Sequence, residues 1–116
     1  EAFIEERQAG EKQYMVKEYS SLEQFFDYEK LKTGISIRSR KEGDVFKPLK
    51  CSGTKKLKEY FIDSKIPRDI RDKIPLIAKD NEIVWIIGYK ISDRFKVTED
   101  TKTILKLRYK DNRHKL

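Results

Sequence analysis

Lysine and arginine side chains are the groups in this chain whose type and spacing could do chemistry. The formal net charge is +7 over 116 residues, and eight bases stand against two acids between Arg38 and Lys58. Lysine offers a phosphate a point charge, and arginine can also bind it through two parallel hydrogen bonds. This concentration indicates a polyanionic partner such as a nucleic acid, although charge alone fits a lysine-rich surface that only faces water equally well.

The charged candidate residues other than Lys47 fall on three predicted elements: two short helices and one strand. No glycine-flanked aromatic motif for stacking on single-stranded bases is present, so a surface that binds the backbone of folded or duplex RNA is the better match. The candidates are Lys55, Lys56, Lys58, Arg68, Arg71, Arg38, Arg40 and Lys47, with Gly53 and Thr54 at the turn before the first helix.

No catalytic or metal-binding constellation can be assembled from the remaining residues. His114 is the only histidine and lies in a charged tail, and Cys51 has lysines nearby in sequence but no histidine that could act as its general base. The chain has no EF-hand loop, Walker A motif or dinucleotide fingerprint. We therefore expect no catalytic residue, no metal site and no cofactor in this chain.

The single cysteine excludes an internal disulfide and fits a reducing cytoplasm. No apolar run is long enough to cross a bilayer, so we expect no membrane partner. Because the chain starts at Glu1 and not at Met, we expect a piece of a longer protein.

The helices that must position these bases are predicted between Thr54 and Pro75. Thr54 is a plausible N-cap, and Leu57, Tyr60 and Phe61 follow at the spacing of one helical face, which leaves the lysines outside. Pro67 suits the first position of a second short helix, and Pro75 ends it.

The flanking segments have strand patterns. Residues 35–40 alternate, with Ile35 and Ile37 on one side and Arg38 and Arg40 on the wet side. Residues 83–87 are apolar on both faces, which predicts a central buried strand, and residues 104–109 alternate again. Residues 13–19 are a weak strand candidate, and residues 20–31 fit either a capped helix or a strand.

These elements predict an α+β fold, a small layered β-rich domain (a sheet or sandwich) with two short helices packed on one side. We assign residues 1–25 to a connector with an edge-strand candidate, residues 26–110 to the domain and residues 111–116 to a loose tail.

Several segments, in one order, resemble the C-terminal domain of bacterial tRNA(Ile)-lysidine synthases. They are residues 39–49 (SRKEGDVFKPL), 53–63 (GTKKLKEYFID), 65–68 (KIPR), 71–76 (RDKIPL) and 83–90 (IVWIIGYK). The resemblance extends from about Phe26 to Leu107. It departs from the family pattern at Lys50-Cys51, where the family usually has a glycine and an apolar residue.

The resemblance implies an enzyme that adenylates the wobble cytidine of tRNA(Ile) with ATP and Mg²⁺, after which lysine displaces AMP. That chemistry is attributed to an N-terminal P-loop-type domain with a Ser-Gly-Gly-x-Asp-Ser motif, which this chain lacks. The chain would then be a non-catalytic domain that grips the acceptor stem, with tRNA(Ile) and the catalytic domain as partners. A homodimer of the parent is left open. The implied fold is similar to a domain of the phenylalanyl-tRNA synthetase β subunit.

An interdomain or dimerisation module without direct RNA contact is the alternative. Its basic residues would then pair with acidic surfaces of the parent enzyme. An exposed apolar patch formed by Tyr14, Phe25 and Phe26 would favour this alternative.

Overall fold

A computed structural model describes the backbone of residues 2–6 and residues 22–110 in full. The predicted strand at residues 13–19, Tyr14, and the tail at residues 111–116 with His114 lie outside the described residues. The division into a connector, a domain and a tail stays a prediction.

The described residues form nine strands and four short helical segments. The strands are β1 (Ala2–Glu6), β2 (Glu23–Asp27), β3 (Ser36–Arg38), β4 (Val45–Phe46), β5 (Lys55–Lys56), β6 (Leu76–Lys79), β7 (Glu82–Ile86), β8 (Lys90–Ile91) and β9 (Thr103–Arg108). The helices are α1 (Tyr28–Leu31) and α2 (Leu57–Asp63), and 3₁₀ helices span Arg68–Lys73 and Asp93–Phe95. No helix in this described part is long and apolar enough to cross a membrane.

The strands build two sheets. One is antiparallel with the order β1-β9-β2, and the other has the order β3-β6-β7-β4-β5, with β8 added to β7. In the larger sheet, β4 pairs with β7 in parallel and β6 pairs with β7 as a hairpin that turns at Asp80 and Asn81. The predicted α+β, β-rich layered fold is confirmed.

Two hydrophobic clusters hold these layers together. In the first, Phe26 of β2 and Leu105 of β9 pack with Trp85 of β7, and the Phe26 and Trp85 ring centroids are 6.0 Å apart. In the second, Phe61 of α2 packs with Ile83 and other residues beneath the helices. Strand β7 contributes to both clusters, as predicted for a central buried strand, and burying each large apolar side chain stabilises the fold by about 1.5–3 kcal/mol.

The predicted start of the first helix is wrong. Lys55 and Lys56 form β5, which pairs antiparallel with β4, and helix α2 begins at Leu57. The backbone N–H of Leu57 donates to the Asp44 carbonyl oxygen at 2.9 Å, so the helix start is satisfied by a distant residue and not by a side-chain cap. Thr54 is therefore not an N-cap, and Gly53 and Thr54 lie in an exposed loop before β5.

The apolar face predicted for this helix is confirmed, because Leu57 and Phe61 are buried and Tyr60 is half-buried. The second helix is a 3₁₀ helix with Pro67 at its N-cap, and it ends before Pro75. Residues 20–31 were predicted to form either a capped helix or a strand. The described part of this segment contains strand β2 followed by α1. The Asp27 side chain caps α1 by accepting a hydrogen bond from the backbone N–H of Glu29 at 3.1 Å.

The predicted orientation of residues 35–40 is also wrong. Ile37 is 57% exposed, whereas the Arg38 side chain is mostly buried. The alternation fails because β3 is a three-residue edge strand, and the guanidinium of Arg38 turns inward to a buried carboxylate. At the departure from the family pattern, Lys50 has a φ of 64°, a conformation that glycine adopts at less cost.

Candidate nucleic-acid interface

A cleft of about 540 Å³ lies beside the start of helix α2. It is lined by residues 40–44, residues 56–58 and Asp72. Four cations line it, Arg40, Lys41, Lys56 and Lys58, and we call it the basic cleft. Strand β4 directly follows the loop of residues 40–44, and β5 pairs with β4. This pairing brings the cations of the loop close to those of residues 56–58.

Three of these cations are available to a ligand. Lys41, Lys56 and Lys58 are exposed, and within the described residues their ammonium groups make no hydrogen bond or ion pair. Of the three carboxylates at the cleft, those of Asp44 and Asp72 are bonded to arginines, which leaves Glu42 as the carboxylate without an ion pair in this part of the structure. An anion can therefore bind these lysines without displacing a protein contact.

Arg40 is held from two sides. Its Nε donates to Asp72 Oδ1 at 2.7 Å, and its guanidinium carbon lies 5.8 Å from the centroid of the Phe61 ring. The predicted solvated position of Arg40 is thus corrected, because its side chain is 26% exposed and has a carboxylate partner. It still lines the basic cleft.

Arg38 and Asp44 form the ion pair behind the cleft. Both nitrogens of the guanidinium end donate to the two carboxylate oxygens at 2.9 Å, and the Asp44 side chain is only 2% exposed. Asp44 also accepts from the Lys41 backbone N–H at 2.8 Å, and Arg38 donates to the carbonyl oxygens of Ser39 and Asp80. The hydrogen bond to Asp44 raises the pKa of Arg38. The described contacts give Arg38 a structural position and not the solvent-facing one that the sequence predicted.

This pair sets the shape of the cleft. Asp44 side-chain bonds hold the loop at Lys41, and its carbonyl oxygen accepts from the first N–H of α2. Gly43 permits the turn between them with a φ of 91°. One residue thereby positions Lys41 and the helix start that carries Lys58.

Two other predicted lysines are paired with carboxylates. The Nζ of Lys47 is 3.7 Å from Asp93 Oδ2, and that of Lys55 is 2.6 Å from Asp63 Oδ2, a hydrogen bond that raises the pKa of Lys55. Asp93 also accepts from Lys96 Nζ at 2.7 Å, which is the main cause of its lowered pKa.

The remaining predicted residues lie outside the cleft lining. Arg71 donates from Nε to the Ile66 carbonyl oxygen at 2.9 Å, Arg68 is exposed, and Gly53 and Thr54 are in the exposed loop.

The structure therefore brings together Arg40, Lys56 and Lys58 from the predicted set. Sequence reasoning missed Lys41. The Gly43 turn, which returns the chain toward the Lys56 segment, was the signal that could have pointed to it.

The family model for the TilS substrate C-terminal domain matches residues 35–109. A tRNA(Ile)-lysidine synthase from Caldanaerobacter subterraneus subsp. tengcongensis is 55% identical over 85 residues, which cover 73% of this chain and 18% of the relative. The chain thus spans less than a fifth of the length of that curated relative.

Two solved structures have the same fold. The crystal structure of a TILS C-terminal domain has a TM-score of 0.64 and 28% identity, and covers 95% of this chain and 83% of its own. A fragment of the phenylalanyl-tRNA synthetase β subunit from Pyrococcus horikoshii has a TM-score of 0.58 at 20% identity, covering 72% of this chain and 26% of its own. The second likeness concerns the fold alone. From the family match and the identity to its relatives, the chain belongs to the TilS substrate C-terminal domain family.

Proposed function

We propose that this chain is the tRNA-binding C-terminal domain of a tRNA(Ile)-lysidine synthase and that it holds the acceptor stem of tRNA(Ile). The observation that carries the proposal is the basic cleft, where three exposed lysines without described partners converge beside Arg40. Family membership supports the identity of the RNA, since the curated relatives are named for tRNA(Ile).

The cleft is suited to binding phosphate groups and not to recognising a base sequence. Its lysines are point charges at a polar surface, and contacts of this kind fix the position and register of a nucleic acid without selecting its bases. The cleft, of about 540 Å³, would contact phosphates that the stem presents at its surface.

The chemistry of the whole protein belongs to the part beyond this domain. We infer a parent ligase that uses ATP, Mg²⁺ and lysine in an N-terminal catalytic domain, and this chain supplies no catalytic residue. Binding the acceptor stem far from the anticodon restricts how the tRNA sits, which helps to present the wobble cytidine to the catalytic domain. A cytoplasmic location belongs to the same proposal.

The test is a titration of this chain with a tRNA(Ile) transcript at salt concentrations from about 0.05 to 0.2 M. Lys56→Gln/Lys58→Gln should weaken binding and reduce the slope of log affinity against log salt by roughly 1.4–1.8, because each of the two phosphate contacts contributes about 0.7–0.9. Lys65→Gln/Lys102→Gln is the charge-matched control, since both lysines are exposed and lie outside the cleft lining. Absence of wild-type binding at 0.05 M, or equal losses in both double variants, would contradict the proposal.

A second candidate function, an interdomain or dimerisation module of the parent, is favoured by one observation. Ile37 is 57% exposed on β3, which lies at the edge of the larger sheet. The patch predicted from Tyr14, Phe25 and Phe26 does not support this candidate, because Phe26 is fully buried and Phe25 half-buried. If the cleft variants lose assembly with the catalytic domain or with a second copy and keep tRNA affinity, this candidate replaces the first.

A further inference from the structure

The basic cleft contains an acid bonded to its arginine. Asp72 Oδ1 accepts from Arg40 Nε at 2.7 Å, and both residues line the cleft. The two partners differ in burial, because the Arg40 side chain is 26% exposed and the Asp72 side chain is 76% exposed.

The exposure of Asp72 makes this bond easy to exchange. A carboxylate that is mostly in water loses little when it leaves its partner, and exposed ion pairs change an equilibrium by less than about fivefold. A phosphate can bind a guanidinium through two charge-assisted hydrogen bonds at once, which is a stronger interaction. An RNA phosphate that reaches the cleft can therefore take the place of Asp72.

Arg40 has a second contact besides Asp72. Its guanidinium carbon is 5.8 Å from the centroid of Phe61, a ring that is fully buried in the second hydrophobic cluster. A cation over an aromatic face at this distance is attracted to it. We infer that this contact keeps the guanidinium at the cleft wall, where a phosphate can reach it, when the carboxylate leaves.

We propose that Asp72 is an intramolecular competitor for Arg40, which an RNA phosphate displaces when the basic cleft is occupied. The inference rests on the proposed function and adds a residue that limits affinity. A nucleic acid strand that also contacts Lys56 and Lys58 displaces Asp72 at a cost in affinity of up to about fivefold.

The exchange between Asp72 and a phosphate changes how the RNA affinity depends on salt concentration. In the wild type, a phosphate that binds Arg40 releases its own counterions, but it also frees the charge of Asp72, which attracts cations from solution and offsets part of that release. In Asp72→Asn no carboxylate charge is freed, so the slope of log affinity against log salt steepens by up to about 0.9. Affinity at 0.05 M salt rises by up to about fivefold, the limit for an exposed pair.

The experiment titrates the chain with a tRNA(Ile) transcript in five forms: wild type, Asp72→Asn, Asp69→Asn, Arg40→Gln and Arg40→Gln/Asp72→Asn. Asp69 lies on the same 3₁₀ helix, is exposed and is outside the cleft lining, so its variant removes an equal charge nearby. We expect Asp72→Asn to tighten binding and steepen the slope, and to do neither in the Arg40→Gln background. Urea unfolding of each variant checks that the fold is retained.

Two kinds of result separate this inference from the proposed function. If the wild type fails to bind at 0.05 M salt, the proposed function is wrong and the inference is lost with it. If the wild type binds but Asp72→Asn matches Asp69→Asn, weakens binding, or keeps its effect without Arg40, the competition alone is wrong and the RNA-binding role stands.

Discussion

The Arg38–Asp44 pair should dominate the stability of the loop that shapes the basic cleft, and Asp44→Asn is the change that tests it. The substitution keeps the size and one oxygen acceptor of the side chain. It removes the charge that Arg38 meets through two hydrogen bonds of 2.9 Å. Because the Asp44 side chain is 2% exposed and the Arg38 side chain 15% exposed, water has little access to the place of the lost partner.

Removing one member of a buried ion pair costs about 3–5 kcal/mol. Arg38 retains its hydrogen bonds to the carbonyl oxygens of Ser39 and Asp80, which favours the lower end of that range. A loss of about 3 kcal/mol with a urea dependence of about 1.5 kcal/mol/M lowers the urea midpoint by about 2 M. The protein should still fold, since domains of this size are stable by about 5–15 kcal/mol.

The assay is urea unfolding followed by the fluorescence of Trp85, the only tryptophan, which is 1% exposed. Asp63→Asn is the matched control, because its carboxylate makes an even shorter contact with Lys55, 2.6 Å, but is 61% exposed. We expect the urea midpoint of that control to equal the midpoint of the wild type. A midpoint shift below about 0.5 M for Asp44→Asn, or equal shifts in both variants, would refute the claim that burial and not distance decides the strength of these pairs.

Two further predictions concern acid sensitivity and the helix start. The folded-state pKa of Asp93 is lowered, chiefly by the hydrogen bond from Lys96. The contribution of the Asp93 carboxylate to stability is therefore complete above the unfolded-state pKa of about 3.9, and it is lost as the pH falls through the lower folded-state value. Thermal unfolding between pH 6 and about 2.5 should therefore lose less stability in Asp93→Asn than in the wild type, and equal losses would contradict this. Thr54→Ala should stay within about 0.5 kcal/mol of the wild type in urea unfolding, because Thr54 is exposed and does not cap α2. A loss of about 1 kcal/mol would instead support the predicted role of Thr54 as the N-cap.

The prediction of the fold succeeded where the pattern of apolar residues was local and strong. Residues 83–87 are apolar on both faces, and β7 is the buried strand that both clusters share. The face of Leu57 and Phe61 is buried as the helical spacing predicted. These features need only the periodicity of the backbone and the exclusion of apolar surface from water.

The predictions of the helix start and of the side-chain orientation in strand β3 failed where a distant residue supplied the partner. Thr54 has the chemistry of an N-cap, yet the first N–H of α2 bonds to Asp44, 13 positions before Leu57. The alternation of residues 35–40 predicted an outward Arg38, yet Asp44 draws its guanidinium inward. The Gly43 turn has a local signal, but both outcomes also depend on the pairing of β4 with β5, which no local pattern specifies.

The sequence by itself determined the family, the α+β class and the presence of a strong basic segment, because motifs, periodicity and charge are properties of the chain order. Only the tertiary structure decided which bases are available. Arg38, Lys47 and Lys55 are paired with carboxylates, and Arg40 is paired with Asp72, whereas Lys41, Lys56 and Lys58 face one cleft without described partners. The physical reason is that an ion pair forms between groups that folding brings within about 4 Å, and residues 6 to 46 positions apart meet at that distance only when the sheets and helices have packed.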